Sequence, residues 1–170
     1  MDDVFVERLI SKKSGVKEIG IKVGAVILVL LAALLAFSFI PMLAPVIVVA
    51  VGWLGWILWN RGNVEFEYSL SNGELTIDTI FGQQKRKHLV ELNIRERVEL
   101  IAPVTEEFSS ELNRTASAVY DASSSPNALG RYFINAKGET GLTRIFFEPD
   151  EKLLQALRRC APSKVKGVQM

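Results

Sequence analysis

The sequence predicts an α+β membrane protein: an N-terminal two-helix transmembrane hairpin, then an antiparallel β barrel or sandwich of about seven strands with a C-terminal helix. Three observations predict it. Residues 23–59 run thirty-seven positions without a charge. From Val64 the apolar residues alternate with polar ones over short segments divided by turn residues. Beyond Pro149 helical spacing returns, with Leu153, Leu154, Ala156 and Leu157 in one stripe.

As one helix, residues 23–59 would extend about 55 Å, against a hydrocarbon core of about 30 Å. Pro41 and Pro45 divide the run into spans at residues 20–40 and 43–60, because proline lacks an amide hydrogen and disfavours helix in the residue before it. A secretory signal cleaved near Ala36-Phe37-Ser38 is the rival reading, but apolar sequence resumes at once after Ser38. Arg8, Lys12, Lys13, Lys17 and Lys22 precede the hairpin, Arg61, Lys85, Arg86 and Lys87 follow it, and the turn carries no cation. The positive-inside tendency therefore places both termini in the cytoplasm and the chain in the cell membrane as a two-span protein. Trp56, Trp59 and Arg61, with Trp53 nearby, read as anchors at the membrane interface. Gly52 and Gly55 would let the two helices approach closely, although their spacing is not that of the four-residue dimer motif.

Residues 1–19 form a cytoplasmic amphipathic segment. Asp2 to Lys13 reads as a short helix with Val4, Phe5, Leu9 and Ile10 on one side, lying on the bilayer, or as a cationic lead that only sets the topology. After the hairpin about 110 residues remain, enough for one small core. This domain covers residues 63–161. Val64, Phe66, Tyr68 and Leu70 alternate with polar residues in its first strand, and Asn72-Gly73 is a hairpin turn because both residues accept positive φ. Further strands follow at residues 74–81, 85–92, 97–102, 116–122, 132–136 and 142–147, with a loop or one or two helical turns at 104–114 and a possible cap at Thr105. A helix at 149–160 has acids at its start and Arg158 and Arg159 at its end, matching the helix dipole. Residues 162–170 read as a polar tail.

The hairpin, the segment Tyr68-Ser69-Leu70-Ser71-Asn72-Gly73-Glu74-Leu75-Thr76-Ile77 and the strand Lys85-Arg86-Lys87-His88-Leu89-Val90-Glu91-Leu92 resemble bacterial membrane proteins with pleckstrin-homology-like (PH-like) domains. The opening Met1-Asp2-Asp3-Val4-Phe5-Val6-Glu7 and the stretch Ile101-Ala102-Pro103-Val104 are similar to a family of small two-span Firmicutes membrane proteins of unknown function. The resemblance spans nearly the whole chain. It implies a bent antiparallel barrel or sandwich crossed at one end by a helix, and it implies no catalytic pattern and no ligand.

The chemistry in the residues is sparse. A net charge of +1 gives no field to attract nucleic acid. Cys160 and His88 are single, so neither an internal disulfide nor a Cys/His zinc set is available. Asn113-Arg114-Thr115 matches a glycosylation acceptor but falls on the side read as cytoplasmic, and Glu106, Glu107 and Glu111 read as a solvated surface. Catalytic residues, metal ligands and a cofactor are not expected, and the chain is not read as an enzyme. Lys85, Arg86 and Lys87 could contact a lipid headgroup, but alternation splits them: Lys85 and Lys87 on one face, Arg86 and His88 on the other. His88 itself reads as a packing or surface residue rather than a pH switch. The resulting expectation is a membrane-anchored PH-like binding module that recruits or assembles a protein complex at the cytoplasmic face. Its partners are the bilayer and another membrane or cytoplasmic protein, with the oligomeric state left open. The alternative is recognition of anionic lipid through Lys85–His88.

Overall fold

The computed structural model describes residues 5–13, 15–61 and 63–167. They divide into a β unit, built from both sides of the apolar run, and a helical unit containing that run.

In the helical unit α1 (Val16–Phe39) and α2 (Ala44–Arg61) are joined by a four-residue turn and pack on each other as a hairpin. Pro41 falls in the turn and Pro45 in the first turn of α2, where a missing amide hydrogen costs nothing. Within α1, Ile19–Phe39 is long and apolar enough to cross a bilayer, and only 6 % of its most apolar stretch is buried. The apolar part of α2, Ala44–Ile57, is shorter.

The β unit opens with a correction. Where the sequence suggested an amphipathic helix over Asp2 to Lys13, residues Val6–Ser11 form strand β1; residues 2–4 of that expectation lie outside the described residues. β1 pairs antiparallel with β2 (Val64–Ser71), Ser11 opposite Glu65 and Val6 opposite Leu70. The physical reason is burial by parity. Val6, Arg8 and Ile10 share a face with Leu70, Tyr68 and Phe66, and Ile10, Tyr68 and Phe66 are all buried. A helix would have taken these residues away from the sheet that covers them.

β2, β3 (Glu74–Phe81) and β4 (Lys85–Asn93) complete a four-stranded sheet in the order β1-β2-β3-β4. Asn72 and Gly73 sit at φ 51° and 86° in the tight turn between β2 and β3. The second sheet contains β5 (Val98–Pro103), β6 (Ala118–Asp121), β7 (Tyr132–Lys137) and β8 (Leu142–Phe147) in the order β5-β7-β8-β6. Here too the structure departs from an all-antiparallel expectation, because β6 runs parallel to β8. The long connection over residues 122–131 gives the chain enough length to return to β7 before β8 forms. The two sheets do not close into a barrel. A single 3-10 turn (Glu106–Phe108) and the one-turn helix α3 (Ser109–Leu112) follow β5, and Thr105 makes no side-chain cap.

The core lies between the sheets and under α4 (Glu151–Cys160), whose Leu153, Leu154, Ala156 and Leu157 are buried. Asp150 caps α4, its Oδ1 accepting from the Leu153 amide at 2.9 Å, while its Oδ2 lies 3.0 Å from Arg8 Nη1. One carboxylate thus joins the strand before the apolar run to the helix after the last strand. Of the expected polar tail, residues 162–167 are more structured than their composition suggests, and residues 168–170 lie outside the described residues. Val165 is buried and bridges Ile101, with the Ile101 amide donating to Lys164 O and the Lys166 amide to Ile101 O, both at 2.8 Å. This segment covers the free side of β5.

Tyr68 ties the sheets together. It is fully buried, meets Phe147 edge-to-face at 5.8 Å between centroids, donates its hydroxyl to Ala122 O at 2.6 Å and accepts from the Glu148 amide at 3.2 Å. Burial raises its pKa well above the ordinary phenol value. The folded state therefore holds this proton more tightly than the unfolded state. The associated stability is complete below the ordinary tyrosine value, about pH 10, and is lost as pH climbs through the folded value. Tyr68→Phe should cost about 1–2 kcal/mol at neutral pH by stranding the Ala122 carbonyl and the Glu148 amide. It should also blunt alkaline unfolding, which circular dichroism at increasing pH would measure.

Candidate functional site

The basic strand β4 is the terminal strand of its sheet, and Lys85, Arg86, Lys87 and His88 are all exposed. What they meet follows from the β1–β2 register. Glu7 stands opposite Ser69, Leu9 opposite Glu67 and Ser11 opposite Glu65, so three acidic residues share the face turned away from the core. Arg86 reaches that face, with Nη2 2.8 Å from Glu67 Oε2. Nδ1 of His88 lies 3.0 Å from Asp78 Oδ1. Two of the four cations are thus engaged within the sheet. Arg86 and His88 are turned to carboxylates of their own sheet, while Lys85 and Lys87 are exposed.

Glu67 is the unusual member of this cluster. It is buried, and its pKa is raised, first by desolvation, then by a hydrogen bond shared with Glu7, with Arg86 pulling the other way. A raised folded value favours the protonated form. The group contributes stability that is fully present below the ordinary carboxylate range and is lost as pH rises through the folded value. Glu67→Gln is expected to raise the thermal midpoint by a few degrees at pH 7.5, with the gain vanishing toward pH 4; differential scanning fluorimetry at the two pH values checks it.

The hairpin carries the other residues singled out by the sequence. Trp56 and Trp59 are 60 % and 45 % exposed, and both line an apolar groove of about 380 Å³ between α1 and α2. Lys22 Nζ sits 5.1 Å above the Trp59 ring and donates to Asn63 Oδ1 at 3.3 Å. Arg61 is the last residue of α2, and its side chain lies outside the described residues, as does that of Lys17. Of the two glycines, only Gly55 marks a close approach, since a Cβ there would meet Val29 Cγ2 at 3.3 Å; a Cβ on Gly52 would meet nothing within 4 Å.

Two polar networks had no counterpart in the sequence reading. Arg144, on β8, is buried and donates to Asn135 Oδ1 at 2.9 Å and to the carbonyls of Glu111 at 2.7 Å, Arg114 at 3.1 Å and Leu112. It satisfies the carbonyl end of α3, where Asn135 Nδ2 also donates to Glu111 O at 3.4 Å. Desolvation, then the nearby Arg114 charge, lower its pKa, with Glu111 opposing. The second network holds the β6–β7 loop. Arg131 reaches Asp121 Oδ2 at 2.8 Å and Pro126 O at 3.0 Å and lies 4.0 Å from the Phe146 ring centre, while Ser124 donates to both carboxylate oxygens of Glu148. This loop presents Leu129 fully exposed, beside a β6 whose Val119 is also exposed. The available signal for the first network was an arginine inside the apolar segment Leu142–Phe147; the second, built on a loop arginine, carried none.

Among the described residues no three His, Cys, Asp or Glu side chains gather as a metal site, and Cys160 is a free, half-buried thiol at the end of α4. No curated protein and no solved structure matches the chain. One family does, the bacterial PH-like domains of DUF6106, whose match covers residues 2–167. That range begins before β1, runs through both helices of the hairpin and ends beyond Val165, so the match takes in both units rather than the β unit alone: the chain belongs to the bacterial PH-like domain family DUF6106.

Proposed function

We propose that this chain is a membrane-anchored binding module that recruits or assembles a protein complex at the cytoplasmic face of the cell membrane, without catalysing a reaction. One observation carries the anchoring: β1 precedes the apolar run, β2 follows it, and Ser11 stands opposite Glu65 in their ladder. A chain that crosses the bilayer once would leave these residues about 30 Å apart on opposite sides. Their pairing favours an even number of crossings. Ile19–Phe39, apolar, long and almost wholly unburied, supports two crossings rather than none, with α2 as the return. α2 spans about 27 Å at 1.5 Å per residue, near the minimum for a crossing. The same pairing argues against signal cleavage near Ser38, which would discard β1. Arg8, Lys12 and Lys13 before the hairpin, with no cation in its turn, favour the cytoplasmic side for the β unit.

A protein partner is favoured over a lipid headgroup at β4 because Arg86 and His88 already face Glu67 and Asp78. Lys85 and Lys87 remain for an anionic surface. The fully exposed Leu129, on a loop pinned by Arg131, Asp121 and Glu148, is the kind of apolar knob a protein pocket takes up. The test places a photocrosslinking residue at Leu129 and, separately, at Lys87 in the full chain. Recovery of one protein adduct from Leu129 supports recruitment. Adducts confined to lipid, from Lys87 alone, would replace this reading with headgroup recognition.

A further inference from the structure

We infer that the groove between α1 and α2 binds one anionic glycerophospholipid, with an acyl chain against Gly52 and the phosphate at Lys22. This rests on the reading of the hairpin as lying in the bilayer. The groove exists because the helices touch at Gly55, where Val29 closes in, but not at Gly52, one turn away, where no side chain enters the space. Its volume, about 380 Å³, falls in the range of small-ligand sites, and its walls, Ala25, Val29, Gly52, Gly55, Trp56 and Trp59 among them, are apolar. A lipid tail fits such walls.

Selectivity comes from the mouth. Trp59 is both a wall of the groove and the ring beneath Lys22 Nζ, so the cation and the apolar slot are contiguous. Asn63 Oδ1 holds the same ammonium from the other chain end of the hairpin, and no carboxylate among the described side chains pairs with it. A phosphate bearing net negative charge neutralises Lys22, whereas a zwitterionic headgroup brings its own cation beside it. A second copy of this chain fits less well. Packing two such faces together would bring two Lys22 charges into one desolvated interface, and the glycine spacing is not that of close helix dimers.

The three tryptophans of the chain all lie on α2, which supplies the readout. The full chain is reconstituted in phosphatidylcholine vesicles containing equal mole fractions of acyl-brominated phosphatidylglycerol or acyl-brominated phosphatidylcholine, and tryptophan quenching is compared. Phosphatidylglycerol should occupy the groove about fivefold more favourably, the worth of one lysine near an anionic headgroup. Lys22→Gln should abolish that preference while leaving general quenching in place. Gly52→Leu, which fills the groove without a backbone clash, should reduce quenching by both lipids. Equal quenching by the two lipids in the unaltered chain, or a preference that survives Lys22→Gln, overturns the lipid site and leaves the anchoring intact. So does a disulfide-linked dimer formed efficiently by Gly52→Cys. Absence of quenching by either lipid overturns the bilayer placement itself, and the site with it.

Discussion

Removal of residues 1–11 is expected to unfold the β unit, although it touches none of the seven strands and the helix that follow the hairpin. The loss strips the outer edge from the first sheet, uncovers the side of the core around Phe66, Tyr68 and Leu70, and deletes buried Ile10. It also removes Arg8 from the Asp150 carboxylate that caps α4, and the strand against which α4 packs. Small domains are stable by only about 5–15 kcal/mol in total, and losing a six-residue strand with its core face consumes a large part of that. A fragment starting at residue 63 should therefore give poorly dispersed amide spectra and aggregate. A chain in which a short Gly/Ser turn replaces residues 13–63 should fold, because Ser11 and Glu65 are already opposite one another and need no hairpin to bring them together. Backbone amide dispersion of the two fragments distinguishes these outcomes.

The second large effect belongs to Arg144. Arg144→Met should cost roughly 2–4 kcal/mol, because Asn135 Oδ1 and the carbonyls of Leu112 and Arg114 lose this donor together and Glu111 O keeps only the 3.4 Å contact from Asn135 Nδ2. Partial exposure of residues 111–114 lets water recover some of this, which keeps the figure below that of a sealed site. Arg144→Lys should rescue only a fraction, since one ammonium cannot reproduce a planar fork spread over four acceptors. Chemical denaturation of both variants measures the difference, and loss of α3 protection in hydrogen exchange should accompany it.

The strands after the hairpin were legible because each reports itself locally. β2 and β3 alternate over eight residues around Asn72-Gly73, and the observed positive φ at both turn positions is what that dipeptide accommodates. The capped C-terminal helix was equally plain, with Asp150 accepting from the Leu153 amide as a cap should. β1 was hidden for a physical reason. It carries Arg8 on its inner face and Leu9 on its outer one, so the two-residue period is scrambled, and its partner lies on the far side of the apolar run. A pairing between residues 11 and 65 leaves no mark within a short window. The parallel placement of β6 and the carbonyl nest around Arg144 are non-local in the same way. For the basic strand, the sequence offered only the run of cations, and it is the structure that supplies Glu67 and Asp78 as the groups that engage Arg86 and His88.

One β unit is assembled from chain on both sides of the hairpin, which we propose crosses the bilayer twice. Single cysteines at Lys13, Met42 and Lys87, in a Cys160→Ser background, test it directly, since all three positions are exposed and Met42 lies at the hairpin turn. With a membrane-impermeant maleimide applied to intact cells, Met42→Cys should be labelled at once, and Lys13→Cys and Lys87→Cys only after permeabilisation. Labelling that puts positions 13 and 87 on opposite sides, or all three on the same side, would contradict the account.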